Sequence, residues 1–280
     1  MNEEPKAETP NPGIALALGS AFLGIYAHGG FLCGLNKAGV FPGHVAGASA
    51  GAMAGGFYAS GMRGAELEAA VLSGALKRSY PDIGMVLRGA PMFFIGRLTG
   101  LMNGKRLVKY LEGQLPVSAI EETPGVRLKI AVTDLKGHKG IFLDTGPLAQ
   151  SMMASCSVPI LFTDQNIGGT RYHDGGILHE LPIDPYINDP AIHTIIVHNV
   201  CYPTGNGKLG VSAPFSRGHQ MMNDALFAYR RAEAERNGKR VILVETGHPH
   251  PGILQSKAAK KRYFEEGERS GLSLRKELPT

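Results

Sequence analysis

Several hallmarks of other protein classes are missing from this sequence, and each absence excludes a class. It has only three cysteines, Cys33, Cys156 and Cys201, and no CxxC spacing. A disulfide framework and a cysteine-based zinc site are therefore excluded, and a reducing compartment is the simpler interpretation. No stretch of roughly 18 apolar residues occurs, which argues against a membrane-spanning helix. No dense Lys/Arg block with interleaved aromatic residues marks a nucleic-acid surface, so nucleic acid is not an expected partner.

The start of the chain lacks the features of a secretory signal. Its first residues, MNEEPKAETPNPG, are acidic and proline-rich, whereas a signal begins with a basic segment followed by an apolar one. We expect residues 1–12 to form a flexible tail and residues 13–280 a single domain. With 43% hydrophobic residues, 19% charged residues and a net charge of +5, the composition is that of an ordinary globular protein. We therefore expect a cytoplasmic protein whose membrane contact is peripheral.

What the sequence does contain is an alternation of strand-like and helix-like segments. Short apolar runs predict strands at GIALALG, HVAG, VRLKIAVTDL, GIFLDTG, RYHDGGI, HTIIVHNV and KRVILVETG. Apolar residues at helical spacing predict helices at residues 20–39, 49–61, 64–76, 104–115, 147–155 and 215–237, with a further helix near the C-terminus. This order predicts an α/β fold with a mainly parallel central sheet and helices on both faces.

One short segment, HVAGASAGAMAGG, suggests chemistry. It contains a Gly-x-Ser-x-Gly core in which Gly47 and Gly51 flank Ser49. Small neighbours of this kind suit a serine on a sharp strand-to-helix turn, where the hydroxyl is exposed as a nucleophile. They also suit a helix that simply packs closely on its neighbours. The segment alone does not decide between these interpretations, because a nucleophilic serine also needs a base.

Two kinds of base are available to Ser49. Ten histidines occur, and His248 and His250 in TGHPHPG follow a predicted strand, which is compatible with a Ser-His-acid triad of the α/β-hydrolase kind. The other candidate is Asp174 in YHDGG, where Gly175 and Gly176 allow close backbone approach. A turn aspartate that accepts hydrogen bonds from nearby amides is the structural alternative for this residue.

Three segments, in this order, resemble the patatin-like phospholipase family. LALGSAFLGIYAHGGFL is similar to the family's glycine-rich strand-loop-helix opening, and VAGASAGAMAGGFYASG to its nucleophile segment. The stretch from ASCSVPILF to YHDGGILHELPI resembles its Ala-Ser-x-x-x-Pro block followed by Asp-Gly-Gly or Asp-Gly-Ala. The likeness covers about residues 14–200. It implies a patatin-like catalytic domain in which Ser49 and Asp174 act as a dyad on acyl esters of lipids, without a metal or cofactor.

The same resemblance directs attention to the turn GSAFLG, residues 19–24. In such a turn the backbone amides of Ser20, Ala21 and Phe22 would stabilise the oxyanion, with Gly19 and Gly24 at its ends. The family usually has Gly-x-Gly-x-x-Gly here, with a cation before the last glycine, whereas this chain has Ala21 and Leu23. A dinucleotide fingerprint and plain helix capping are alternatives for such a turn, although no acidic residue follows a second strand at the spacing that the fingerprint requires.

The expected partner is a lipid or another acyl ester. Residues 85–102, MVLRGAPMFFIGRLTGLM, mix apolar side chains with two arginines and are interrupted by glycines. One interpretation is a core helix with loops. The other is an apolar flap that admits acyl chains and contacts a membrane surface. A relative that keeps the fold but only binds lipid or a protein is the alternative to an enzyme, because the glycine-rich turn is altered.

Overall fold

A mixed eight-stranded sheet runs through the computed structural model, which describes residues 9–82, 84, 100–201, 213–247 and 255–278. The strands are β1 Asn11–Leu18, β2 Pro42–Gly47, β3 Arg127–Asp134, β4 Lys139–Leu143, β5 Gln165–Ile167, β6 Thr170–Asp174, β7 Thr194–Cys201 and β8 Arg240–Gly247. The predicted strands all occur, and β5 is an additional short strand that the sequence patterns did not predict.

Helices connect most of these strands. They are α1 Ile25–Lys37, α2 Ala50–Ala59, α3 Gly64–Leu72, α4 Gly74–Ser79, α5 Lys105–Glu112, α6 Leu148–Ser155, α7 Asp184–Ile187, α8 Ala213–Arg236 and α9 Lys257–Ser273. Short 3-10 helices lie at Ile120–Glu122, Gly175–Ile177 and Leu274–Lys276. None of the helices within the described residues is long and apolar enough to cross a bilayer.

The sheet combines a parallel centre with an antiparallel end. Its strand order is β5-β6-β3-β2-β1-β7-β8, and β4 pairs with β3 outside that path. The neighbouring pairs β3–β2, β2–β1, β1–β7 and β7–β8 are parallel. The pairs β3–β4, β3–β6 and β5–β6 are antiparallel. This arrangement confirms the predicted α/β fold with a mainly parallel sheet.

Alternating side chains of β1 divide the core into two layers. Leu16 and Leu18 are fully buried in one cluster, which includes side chains of α1, α2, α6 and α9. Ala15 and Ala17 are fully buried in a second cluster, with side chains of α7 and α8. Successive strand residues point to opposite faces, so both faces of this central strand are covered by helices.

The structure differs from the predictions at some boundaries. The strand β1 begins at Asn11, within the predicted tail, whereas residues 1–8 lie outside the described residues. The predicted helix 64–76 is two helices, because Ser73 leaves the helical conformation and its hydroxyl accepts hydrogen bonds from the amides of Ala75 and Leu76 as the cap of α4. The predicted helix 20–39 begins only at Ile25, after the glycine-rich turn.

Candidate active site

The ends of two strands meet along one edge of β3. At the end of β2, Gly47 pairs with Ile130, and at the end of β6, Asp174 pairs with Val132. The two strands run in opposite directions relative to each other, so their final residues approach the same part of β3. Ser49 lies two positions after the end of β2. The topology therefore brings Ser49 and Asp174 together, although they are far apart in the sequence.

Ser49 occupies a strained turn between β2 and α2. Its φ of 52° and ψ of −117° place a non-glycine residue outside the usual regions of backbone space. The neighbouring glycines make this turn sterically accessible. A Cβ at Gly51 would lie 2.1 Å from the carbonyl oxygen of Leu18, and one at Gly47 would lie 2.6 Å from the backbone of Ala52. The small residues therefore permit both the sharp turn and the close packing of α2, as expected of a nucleophile elbow.

Two residues at the end of α6 hold the elbow. The Ser49 amide donates a hydrogen bond to Ser155 Oγ over 2.9 Å, and Cys156 Sγ donates to the Ser49 carbonyl oxygen over 3.2 Å. Both side chains are buried. The sequence patterns indicated no role for either residue, because their contact with Ser49 depends on tertiary packing. The signal available was their place in the ASCSVP segment.

Asp174 is fixed by its backbone and by one carboxylate oxygen. Its amide donates to Ser157 O over 3.1 Å, and its Oδ1 accepts a hydrogen bond from the amide of Gly176 over 2.7 Å. A Cβ at Gly175 would lie 2.1 Å from Ala131 O, so the first glycine after Asp174 allows the chain to turn against β3. The DGG sequence thus produces the turn that was the structural alternative for Asp174, and it also orients the carboxylate.

The environment of the Asp174 carboxyl group favours its protonated form. The residue is 4% exposed, and burial raises its pKa to about 6, opposed by its hydrogen bonds to the Gly176 amide and to the Ser49 hydroxyl. The Ser49 contact is not a well-aligned hydrogen bond, because Asp174 Oδ2 has no such partner within the described parts of the chain. The site therefore contains a buried carboxylate oxygen with a free acceptor position beside a serine hydroxyl.

Four histidines in the described residues have hydrogen-bond partners away from Ser49. His28 contacts His198 and Gly19, His173 contacts Ser157, and His179 contacts Asp184. Among the hydrogen bonds of the described residues, none joins a histidine to Ser49. His248 and His250, the residues on which the predicted triad alternative rested, lie outside the described residues.

The glycine-rich turn, residues 19–24, lies against both halves of the site. Gly51 of α2 packs on the carbonyl groups of Leu18 and Gly19, and a Cβ at Gly176 would lie 2.3 Å from Ser20 Oγ. The Ser20 amide, expected as an oxyanion donor, already donates to Glu180 O over 2.7 Å. The Ser20 amide is therefore not free to bind an oxyanion as predicted, since one N–H cannot donate fully to two acceptors.

The rest of this turn adopts a conformation that its sequence does not favour. Leu23 has a φ of 58°, in the left-handed region that glycine enters more easily, and the Gly24 amide donates to Ala21 O over 3.2 Å. The Ala21 amide makes no hydrogen bond to another described residue. Ala21 is therefore compatible with the turn and keeps an amide available. The role of the Phe22 amide as an oxyanion donor stays a prediction.

The predicted flap at residues 85–102 falls mostly on the part of the chain that is not described. Residues 85–99 lie outside the described residues. At its end, Met102 pairs with Phe162 through a parallel bridge, and the Leu101 amide donates to Ile160 O over 3.0 Å. The end of the predicted flap is thus attached to the loop between α6 and β5.

Comparison with known proteins identifies the family of this arrangement. The family model for patatin-like phospholipases matches residues 16–187, a range that contains the glycine-rich turn, the elbow and Asp174. The chain belongs to the patatin-like phospholipase family. Uncharacterized NTE family proteins of Mycobacterium tuberculosis and Mycobacterium bovis are 28% identical to this patatin-like chain over 190 residues. The match covers 67% of this chain and 49% of each relative, so the chain spans about half the length of the curated relatives it matches.

Solved structures of low sequence identity share the fold of this patatin-like protein. VipD from Legionella pneumophila aligns with a TM-score of 0.53 at 14% identity, over 96% of this chain and 67% of VipD. ExoU of Pseudomonas aeruginosa, solved in complex with SpcU, aligns with a TM-score of 0.50 at 14% identity, over 97% of this chain and 54% of ExoU. These likenesses extend the fold beyond the range that the family model matches.

Proposed function

We propose that this protein is a serine acyl hydrolase that cleaves carboxylic ester bonds of lipids through a Ser49–Asp174 dyad. The observation that carries the proposal is the juxtaposition of a serine on a strained elbow with a buried carboxylate that has an unpaired oxygen. Such a carboxylate, with a pKa near 6, is a stronger base than a solvated aspartate yet is largely ionised at neutral pH. Membership of the patatin-like phospholipase family supports lipid esters as the substrate class.

In the proposed first half-reaction, Asp174 takes the proton of Ser49 as Oγ attacks the ester carbonyl carbon. The C–O bond to the leaving alcohol then breaks, and Asp174 returns the proton to that alcohol. In the second half-reaction, water attacks the acyl-enzyme and gives its proton to Asp174. The breaking Ser49–acyl bond recovers that proton on Oγ, which releases the fatty acid and restores the serine.

Three backbone amides are the proposed donors to the oxyanion. The first belongs to Ala21 in the glycine-rich turn. The second belongs to Ala50, the first residue of α2, which directly follows the nucleophile. Neither amide donates to an acceptor in the described residues, as is usual for an amide at the start of a helix. The Phe22 amide is a third proposed donor, and Ser20 is omitted because Glu180 O occupies its amide.

The experiment that tests the proposal combines labelling with kinetics. An active-site-directed fluorophosphonate is expected to label the parent protein at Ser49, and the parent is expected to hydrolyse p-nitrophenyl esters and lysophospholipids. Ser49→Ala is expected to lose both reactions, and Asp174→Asn to lose turnover by at least about a hundredfold, since an amide cannot accept the serine proton. Ser60→Ala is the matched control, because Ser60 is a buried serine at the far end of the same helix.

The pH dependence of the reaction provides a second readout. Because the ionised form of Asp174 is the proposed base, kcat/KM is expected to rise with pH through a value near 6. Turnover by Ser49→Ala at the parent rate would place the activity elsewhere in the protein and would overturn the proposal.

One observation favours a second candidate function. The Ser20 amide is engaged and Ala21 stands at a position that is glycine in the family pattern, so the glycine-rich turn itself offers fewer donors than the sequence predicted. A lipid-binding relative with little turnover would have such a site. Folded protein that binds lipid vesicles but neither reacts with fluorophosphonate nor hydrolyses esters would support this second function.

A further inference from the structure

A chain of buried polar groups leads away from the glycine-rich turn through the interior. His28 Nε2 lies 2.9 Å from Gly19 O, and His28 Nδ1 lies 2.8 Å from His198 Nδ1. His198 Nε2 lies 2.9 Å from Thr246 Oγ1, which lies 2.9 Å from Ser270 Oγ. Both imidazole rings are completely buried, and Thr246 and Ser270 line a surface cavity at the outer end.

Only one distribution of protons satisfies every contact of the two rings while both are neutral. A carbonyl oxygen only accepts, so His28 Nε2 carries the proton that is donated to Gly19 O. His28 Nδ1 is then a lone pair, and His198 Nδ1 must donate to it. That leaves His198 Nε2 as an acceptor for the Thr246 hydroxyl, so the Ser270 hydroxyl, which also lies 3.1 Å from Glu266 O, must donate to Thr246 Oγ1. From Thr246 inward, every hydrogen bond therefore points in the same direction, towards Gly19.

The surroundings of the rings favour the neutral forms that this assignment requires. Burial lowers the pKa of His28 to about 4, and burial together with the neighbouring His28 lowers the pKa of His198 well below its usual range. Phe31 stacks on the His198 ring at a centroid distance of 3.9 Å and fixes its plane. Both rings are therefore kept neutral, and the orientation of the His198 ring is fixed.

The chain of hydrogen bonds ends on a peptide group of the proposed oxyanion turn. The carbonyl of the Gly19–Ser20 peptide accepts from His28, and the amide of the same peptide donates to Glu180 O over 2.7 Å. Hydrogen bonds at both ends fix the plane of this peptide, and so they fix the start of the turn from which the next peptide, which carries the Ala21 amide, departs. Bonds that share one direction also polarise each other.

We propose that His28 and His198 are positioning residues, a relay of two fixed tautomers that orients the glycine-rich turn beside Ser49. The catalytic part of this inference rests on the proposed function, whereas the tautomers and the position of the turn do not. Neither histidine contacts Ser49 or Asp174 among the described hydrogen bonds, so the relay acts through the backbone of residues 19–21.

The first test reads tautomers and backbone without any substrate. In ¹⁵N-labelled parent protein at pH 7, His28 is expected to be protonated at Nε2 only and His198 at Nδ1 only. Thr246→Val removes the outer hydroxyl but leaves Gly19 O, which fixes the direction of the donors, so both tautomers should persist. In His28→Leu, the amide resonances of Ser20 and Ala21 should shift, and in His28→Gln, which retains a donor for Gly19 O, they should return towards their parent positions.

The second test compares the same variants in catalysis. We expect His28→Leu to lower kcat by about 10-fold to 100-fold with KM changed less than about threefold, below the effect of removing an oxyanion donor outright. His28→Gln should recover most of the loss. His198→Phe retains an aromatic ring on Phe31 but cannot hold the His28 tautomer, so it should give an intermediate kcat. His44→Gln is the control, since His44 is buried on β2 outside the relay.

The outcomes separate the two proposals. Opposite tautomers in the parent, or equal kcat losses for His28→Leu and His28→Gln, would overturn the relay even in an active enzyme. If His28→Leu does not fold, Thr246→Val at the outer end decides the matter, because reversed tautomers there would also overturn it. A parent protein without esterase activity or labelling would refute the proposed function, while the tautomers and the amide shifts would still report on the relay.

Discussion

Replacing Asp174 with asparagine is expected to stabilise the fold while it removes turnover. The carboxylate is almost completely buried, and burial raises its pKa from 3.8 to about 6. The folded state therefore holds this proton more tightly than the unfolded chain does. As pH rises from about 4 through 6, the parent protein loses stability because it must ionise a buried group. An asparagine has the same shape, can still accept from the Gly176 amide, and does not ionise.

The size of the effect follows from the pKa difference. About two pKa units correspond to roughly 3 kcal/mol once the group is fully ionised above pH 7. This figure is an upper value, since the asparagine amide is itself a buried polar group. For a protein of this size, about 3 kcal/mol shifts the melting temperature by roughly 6 °C. Asp174→Asn should therefore melt several degrees above the parent at pH 8 and close to it at pH 4.

Thermal denaturation of both proteins across this pH range measures the prediction. At each pH the melting temperature of the parent is subtracted from that of Asp174→Asn. The prediction is that this difference grows from pH 4 to pH 8, and other titrating groups do not affect it because they are common to both proteins. Asp144→Asn is a suitable control, since that carboxylate is an exposed partner of Lys129 and its removal should give no offset that grows above pH 6. A constant offset, or a variant that is less stable than the parent at pH 8, would refute the reasoning.

Two further substitutions test the surroundings of Ser49. Ala21→Val adds two methyl groups next to Gly24, where a Cβ would already lie 2.5 Å from the Ala21 side chain. We therefore expect kcat in ester hydrolysis to fall at least about 10-fold, while the melting temperature changes by only a few degrees. An unchanged kcat would remove the Ala21 amide from the mechanism. Ser155→Ala leaves the buried Ser49 amide without its acceptor, and we expect a loss of about 1–2 kcal/mol in the free energy of unfolding, measured by urea denaturation, together with slower fluorophosphonate labelling. Parent-like stability and labelling would show that the elbow does not depend on this bond.

The candidate site residues that sequence patterns indicated are those whose surroundings are local. The elbow is encoded by Gly47 and Gly51, which allow the strained turn at Ser49, and the second turn by the glycines after Asp174. Short-range steric requirements of this kind leave a mark on consecutive residues. The alternation of apolar segments likewise predicted the sheet and its covering helices, because periodicity follows directly from secondary structure.

The residues that sequence patterns did not identify act across the sheet. Ser155 resembles any polar residue in a helix until α6 is packed against the elbow. His28 lies in an apolar helical segment, and its hydrogen-bond partner His198 on β7, which in turn contacts Thr246 on β8, cannot be inferred from that segment. The engagement of the Ser20 amide by Glu180 O was equally inaccessible. These contacts depend on strand order and register, which single-sequence patterns do not determine.

The meeting of two strand ends on β3 has a consequence for how this fold tolerates change. The separation of Ser49 and Asp174 is set by where β2 and β6 pair with β3, at Ile130 and Val132. The length of the chain that connects the two residues does not set it. Loops between β2 and β6 that do not contact the site can therefore gain or lose residues, since loop closure costs little additional free energy per inserted residue. The segment from Ser155 to Ser157 is an exception, because it contacts both Ser49 and Asp174. A deletion of one residue within β6 is different, because it would turn the Asp174 side chain to the opposite face of the sheet. Sequence divergence should consequently be abundant in those loops and nearly absent in the lengths of β3 and β6.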